Sequence, residues 1–286
     1  MAKEFSISLR YRFFKEASMV KELLFDARPS KEDLLRLSSN RVDVYTFPIR
    51  TFLGEEVIDF GGCTIWMDNI ALLRVDNFQG WWRRLDKKTR NMVRKAAKQG
   101  VVTHVIESLS KEVADGLWRI YNETPIRQGR WFKGYGQSRE NFRRWQVPDP
   151  DAGELIGAFW MGQLIGFVTI LYGDRVARIS QFLSMVRHFD KAPNNALIAK
   201  AVERCCERGV RFLIYARMGN HPSLDKFKEG NGFLKYPLPR CYVPLTRRGE
   251  VALRLKLYGY PQDRIPESLK KFLIPAYNLL SRKLRL

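Results

Sequence analysis

The stretch ELIGAFWMGQLIGFVTILYGDRVARISQFLSM, residues 154–185, decides the fold. Gly162 and the Gly173–Asp174 pair divide it into three apolar runs, 154–160, 164–172 and 175–185. The breaks are too short for crossover connections, so the runs read as three successive antiparallel strands. Downstream, NNALIAKAVERCCER (194–208) places Leu197, Ala201 and Cys205 on one stripe before Gly209, which predicts a helix. RFLIYA (211–216) reads as a strand that a right-handed crossover lays parallel to its predecessor. A short helix within SLDKFKEGNGF (223–233) and a strand at CYVPL (241–245) complete the order. Upstream, the pattern predicts a helix at 30–38 opened by Ser30 and Asp33, and strands at 42–47 and 63–67. It continues with one helix over 81–100 ending at Gly100, a strand at 101–106, and a helix at 110–122 begun by Ser110.

Composition narrows the partners. The 286 residues carry 50 Lys+Arg against 30 Asp+Glu, a formal charge of +20, which favours a polyanion such as nucleic acid or an anionic membrane surface. The four cysteines form no C-x-x-C pair, as expected of a reduced, intracellular protein, and vicinal Cys205 and Cys206 fall in a helical pattern. Three isolated histidines argue against a zinc site, and VPDPDAGE (147–154) reads as a turn rather than a metal-binding Asp149/Asp151 pair. No metal is expected. Charges at Lys3, Glu4, Arg10 and Arg12 argue against a signal peptide, and no run approaches the ~20 apolar residues of a membrane span. The expected location is the cytoplasm, with contact at the inner membrane face left open. The tail from Pro266 reads as a basic amphipathic helix interrupted at Pro275, a packing arm ahead of a membrane-surface element.

Two segments concentrate positive charge. In WWRRLDKKTRNMVRKAAKQG (81–100), Lys87, Asn91, Arg94 and Lys98 share a helical stripe flanked by Lys88, Arg90 and Lys95, while Leu85, Met92 and Ala96 lie opposite. Asp86 is the only acid, which favours a polyanion-facing role over an ordinary solvated face. NETPIRQGRWFKGYGQ (122–137) interleaves Arg127, Arg130 and Lys133 with Trp131, Phe132 and Tyr135. That mixture suits phosphate contact and base stacking, and equally suits a loop packing its rings on the core.

The order of elements resembles the GNAT acyltransferase core, and more specifically the Fem-type aminoacyl-tRNA-dependent transferases that add amino acids to peptidoglycan precursors. KKTRNMVRKAAKQGV (87–101), LIAKAVERCCERGVRFLIYA (197–216) and FKEGNGF (227–233) carry the resemblance. It implies an α+β fold with a GNAT-like mixed sheet flanked by helices. The implied organisation is an N-terminal lobe over 1–100, open to being a degenerate second copy, a core over 101–250, and a basic tail over 251–286. CoA-using members cradle pyrophosphate on a Gln/Arg-x-x-Gly-x-Gly/Ala loop; here the corresponding RHFDKAPNNA (187–196) has no glycine, and Pro193 lacks an amide donor.

The function expected from this is aminoacyl transfer from aminoacyl-tRNA to an amine of a peptide or cell-envelope precursor. No cofactor is expected, with acetyl-CoA or acyl-CoA ranked behind tRNA. An acyl-CoA-dependent N-acyltransferase and a non-catalytic RNA-binding protein on a degenerate GNAT scaffold are the alternatives. Counting back four from Gly232 gives Lys228, where acetyltransferases often have an acidic tyrosine. Lys228 is the candidate electrostatic catalyst and Phe227 the pocket-shaping residue, against a solvated lysine. Tyr215 is assigned to the substrate side; Tyr215, Glu154 and Gln181 are the candidate bases. No Ser/His/Asp or Cys/His set supports a covalent acyl-enzyme.

Overall fold

The computed structural model describes residues 3–57, 62–127, 129–219 and 221–259. The tail from Pro266, with its expected amphipathic helix, lies outside the described residues. The chain divides into two compact units, one holding the described residues up to Ile70 and from Lys235 onward, the other running from Ala71 to Leu234.

The first unit opens with β1 (Phe5–Arg10) and β2 (Phe14–Met19), paired antiparallel from Phe5↔Met19 to Arg10↔Phe14. Tyr11 and Arg12 take positive φ in the turn, the backbone sense that suits a twisted hairpin. α1 (Lys31–Ser39) begins at a capping box: Ser30 accepts from the Asp33 amide, and the Asp33 carboxylate accepts from the Ser30 amide. β3 (Val44–Pro48) is buried throughout and runs parallel to β2. β4 (Thr64–Arg74) begins in this unit and ends in the second.

The second unit departs from expectation at once. In place of one helix over 81–100 there are two, α2 (Phe78–Arg84) and α3 (Lys87–Lys98). Leu85 is extended, and the Asp86 carboxylate accepts from the Thr89 amide, so Asp86 starts a new helix instead of continuing the old one. β5 (Val101–Ile106) and α4 (Lys111–Tyr121) follow as the pattern predicts. A ribbon of β6 (Ile126–Arg127) and β7 (Arg130–Trp131) precedes α5 (Arg139–Arg143). The three predicted strands are β8 (Gly153–Trp160), β9 (Gln163–Tyr172) and β10 (Val176–Ser184), each antiparallel to the next. A 3-10 segment at Val186–Lys191 leads into α6 (Pro193–Glu207), then β11 (Phe212–Ile214) and α7 (Pro222–Gly230).

The strand order in this unit is β4-β11-β10-β9-β8-β5, with β10 and β11 parallel and the other pairs antiparallel. This is the expected mixed sheet flanked by helices. Alternation along β9 serves both faces: Val168 and Ile170 pack with Leu197, Ile198 and Val202 of α6, while Phe167 packs with Leu117 and Ile120 of α4.

The chain returns to the first unit as β12 (Leu234–Pro244), antiparallel to β3, and α8 (Arg247–Arg254). β12 starts seven residues before the predicted strand and runs through Pro237 and Pro239. A proline still supplies a ladder acceptor, and the Pro239 carbonyl takes the Ile49 amide at 2.8 Å. In the first unit Leu37, Tyr45, Phe47, Ile49 and Cys241 form the core.

Candidate active site

A wedge opens in the second unit where two parallel strands part. β10 and β11 pair only over Val176–Arg178 and Phe212–Ile214. Beyond that, the Tyr215 amide donates to the Ala71 carbonyl at 2.9 Å and the Ala71 amide to the Ala216 carbonyl at 2.8 Å. This segment therefore stays with β4, while β10 runs on to Ser184. An irregularity between Ile179 and Gln181 shifts the β10 register against β9, and such bulges bend a strand and sharpen its twist. Half-buried rings pack across the splay: Phe182 lies 5.5 Å from Tyr215 and 6.0 Å from Phe227, centroid to centroid.

Lys228 reaches this aromatic wall from α7. The helix closes in a Schellman motif, with the Phe233 amide donating to the Lys228 carbonyl and the Gly232 amide to the Glu229 carbonyl. Gly232 has φ +89°, the left-handed conformation that this stop requires. The stop fixes the rotation of the helix: Lys226 faces solvent and Lys228 is 1% exposed. Lys228 Nζ donates to the Arg217 carbonyl at 2.7 Å and sits 4.7 Å from the centre of the Tyr215 ring. Burial pushes the Lys228 pKa down, with Asp225 opposing. Burial pushes the Tyr215 hydroxyl up, so Tyr215 is protonated at neutral pH and is a proton donor rather than a base.

The connection after β10 is held by a residue that sequence reading missed. The Glu123 carboxylate accepts from the Val186 amide at 2.6 Å and the Arg187 amide at 3.1 Å. Arg127 donates to the Ser184 carbonyl at 2.7 Å and to the Ile120 carbonyl, and lies over the Phe132 ring. Glu123 sits in a loop with no recognisable motif, so its partners 63 and 64 residues away left no local signal. The connection ends at Ala192, whose φ of +55° turns the chain into α6; no side chain caps that helix.

The acetyltransferase (GNAT) domain model matches residues 83–225, half of the chain. The chain belongs to the acetyltransferase (GNAT) family. It is an acyltransferase by class. Three solved structures share the fold of this GNAT protein at low sequence identity. The C-terminal domain of a protein named as a lysylphosphatidylglycerol synthetase from Agrobacterium fabrum has a TM-score of 0.56 at 12% identity, over 89% of this chain and 86% of that one. FemX has a TM-score of 0.55 at 9% identity, over 89% and 90%. L-PGS from Bacillus licheniformis has a TM-score of 0.51 at 15% identity, over 79% and 76%. No curated protein sequence matches the chain.

Membership in the acetyltransferase (GNAT) family overturns the expectation of no cofactor, with acyl-CoA behind aminoacyl-tRNA: the family points to acyl-CoA. The physical reason is at Ala192. Absence of glycine from 187–196 suggested a lost phosphate cradle, yet Ala192 adopts the left-handed backbone that glycine adopts without strain. The turn leads into the uncapped first turn of a 15-residue helix, with Arg187 and Lys191 alongside in sequence. Helix N-terminal amides favour an anion, but Pro193 has no N–H, the Ala192 amide donates to the Phe189 carbonyl and the Asn195 and Ala196 amides donate to the Ala192 carbonyl. A donor phosphate here would therefore be met by the Asn194 amide and by the Arg187 and Lys191 cations.

The remaining sequence candidates fall in separate places on the GNAT protein. Lys87, Lys88, Arg94, Lys95 and Lys98 are exposed on α3, and Arg90 is half-buried with its guanidinium on the Leu85 carbonyl at 2.5 Å. Trp131 in the ribbon and Lys133 and Tyr135 just after it are exposed, with the two rings 6.1 Å apart. Arg130 belongs to β7, and its side chain lies outside the described residues. Of the candidate bases, Glu154 is buried beneath Arg204, Arg208 and Tyr172. Gln181 sits at the bulge with a buried side-chain oxygen that lacks a hydrogen-bond partner. Among the described residues, no His/Cys/Asp/Glu group could hold a metal, and no helix is long and apolar enough to cross a membrane.

Proposed function

We propose that the chain is an acyl-CoA-dependent N-acyltransferase whose reaction takes place in the wedge between β10 and the Tyr215–Ala216 segment. The observation that carries this is a buried cation at the wedge: Lys228, packed with Tyr215 where the two strands part. A thioester supplies an acyl group activated toward attack by an amine. Lys228 has three N–H donors and the Arg217 carbonyl takes one, which leaves donors for an oxygen on which negative charge develops. Phe182 and Phe227 keep water from the reacting atoms, and Tyr215 holds a proton for a leaving group. The Asn194 amide at the start of α6, with Arg187 and Lys191 just before it in sequence, would meet the phosphates of the donor.

Saturating acetyl-CoA, or a longer acyl-CoA, is expected to raise the melting temperature by roughly 5–10 °C at a hundredfold excess over Kd. Acyl transfer to an amine should accompany the shift. No shift with any acyl-CoA, together with transfer from charged tRNA alone, would overturn the reading.

A second reading concerns a polyanionic partner and rests on the outer face of α3, where Lys87, Lys88, Arg94, Lys95 and Lys98 are all exposed. tRNA is the partner to test first, and the Fem-type resemblance with the likeness to FemX supports a cell-envelope amine as acceptor. Arg94→Glu with Lys98→Glu is expected to weaken tRNA binding at least tenfold and to flatten the salt dependence by about two phosphate contacts. An unchanged binding curve would remove α3 from the interface.

A further inference from the structure

The β1–β2 hairpin carries an apolar strip that runs off the covered part of its sheet. Phe5, Ile7 and Leu9 share one face of β1 by strand alternation and stand opposite Met19, Ala17 and Lys15 of β2. At the Phe5 end this face is covered: Phe5 packs edge-on to Tyr45 under the Arg36 guanidinium, and Met19 and Ala17 are buried. Toward the turn the cover ends. Ile7 is 48% exposed, Leu9 62%, Tyr11 46% and Phe13 40%.

The charge at the tip of the hairpin is positive. The run LRYRFFK, residues 9–15, holds three basic residues, three aromatic rings and no acid. Arg12 and Lys15 are exposed. Arg10 is drawn toward Glu16 at 3.7 Å and lies 5.8 Å from the Tyr11 ring. An exposed strip of leucine, isoleucine and aromatic side chains edged by free cations matches the boundary between acyl chains and anionic headgroups. There the aliphatic groups enter the hydrocarbon, Tyr sits at headgroup level, and Arg and Lys meet the phosphates.

We propose that the tip of the β1–β2 hairpin, through Leu9, Tyr11 and Phe13 with Arg12 and Lys15, docks the protein on an anionic membrane surface. Charge complementarity selects this occupant. A second copy of the chain would set the same cations against each other, with no acid in 9–15 to pair them. The inference does not depend on the identity of the acyl donor.

The test is co-sedimentation of the full chain with phosphatidylglycerol/phosphatidylcholine vesicles and with pure phosphatidylcholine vesicles at near-physiological salt. Wild type should partition onto the anionic vesicles and far less onto the neutral ones. Leu9→Ser/Tyr11→Ser/Phe13→Ser, which keeps every charge, should lose at least tenfold in partitioning. Arg12→Glu and Lys15→Glu should each lose about fivefold or more, since each basic side chain near such a surface is worth about that factor. A triple-serine variant that keeps the wild-type melting temperature and partitions as wild type would overturn the proposal, because net positive charge alone would then explain binding. A wild-type dimer in sedimentation velocity that the same substitutions make monomeric would also overturn it, by assigning the strip to self-association.

Discussion

Replacing Lys228 with Met is expected to lower kcat by about a hundredfold to a thousandfold while moving the folding free energy by only about 1 kcal/mol. The two effects separate because Lys228 is buried for a reason other than stability. Its desolvated ammonium gains one hydrogen bond to the Arg217 carbonyl and the face of Tyr215. Against these stands the removal of a charge from water, and a methionine of similar length fills the same space without that penalty. Steady-state kinetics with an acyl-CoA and an amine, read beside thermal melts, checks this. Wild-type turnover in the variant would end the catalytic assignment, and a large loss of stability together with activity would make the residue structural.

The pH dependence gives a second readout. Burial holds the Lys228 pKa below the ordinary lysine value of 10.5. The cation is therefore lost as pH rises through a value below that of a free lysine, and kcat should fall there. The residual activity of Lys228→Met should lack this alkaline limb. Stability moves the other way: between the folded and unfolded pKa values the unfolded chain binds more protons, so this residue makes folding more favourable as pH rises. The methionine variant should lose that rise.

Glu154→Gln is expected to destabilise the protein by about 3 kcal/mol, or roughly 6–12 °C in Tm, without altering kcat at temperatures well below the melt. The carboxylate accepts from Arg204 at 2.6 and 3.0 Å, from Arg208 at 3.0 Å and from the Tyr172 hydroxyl at 2.9 Å. Among the described residues, the neutral amide leaves Arg208 with no carboxylate partner, only the Pro150 carbonyl, and Arg204 with Glu207 alone. Both arginine heads keep about a quarter of their surface in water, which places the loss at the lower end of the range for a broken buried pair.

Burial alone would raise the Glu154 pKa, but the hydrogen bonds from Arg204, Tyr172 and Arg208 outweigh it and hold the carboxyl below its ordinary 4.5. Its stabilising contribution is therefore complete above that value and disappears as pH falls through the lower folded pKa. Melts between neutral pH and about pH 3 should show wild type losing an acid-sensitive increment that Glu154→Gln lacks. A drop in kcat for the glutamine variant with an unchanged Tm would instead restore Glu154 as a candidate base.

Local chemistry made much of the architecture legible. The Met161–Gly162 turn, with both residues at positive φ, joins β8 to β9 where sequence placed a hairpin. Ser30 with Asp33, and Ser110, mark helix starts that the backbone obeys. FKEGNGF placed a glycine turn after the short helix, and the acetyltransferase resemblance, counted back four from Gly232, singled out Lys228; its burial comes from the structure. The run at 81–100 divides into two helices that sequence alone does not separate, because Asp86 has the same identity as a helix interior residue and as an N-cap. The choice is made by long-range packing: Trp81 is buried and its Nε1 donates to the Asn231 carbonyl at 3.0 Å.

Sequence by itself determined the order of elements from β8 to α7, the helix starts at Ser30 and Ser110, the basic outer stripe of α3 and the position of Lys228 one turn before a glycine. Each depends on residues within a few positions of one another, where backbone sterics and side-chain period are sufficient. Only the tertiary structure decided that Lys228 is buried against Tyr215, that Ala192 takes the conformation of the missing glycine, and that Glu154 is held by two arginines 50 and 54 residues away. These depend on which segments meet. Burial and hydrogen bonding then set charge, strain and reactivity in ways that no neighbouring residue in the chain records.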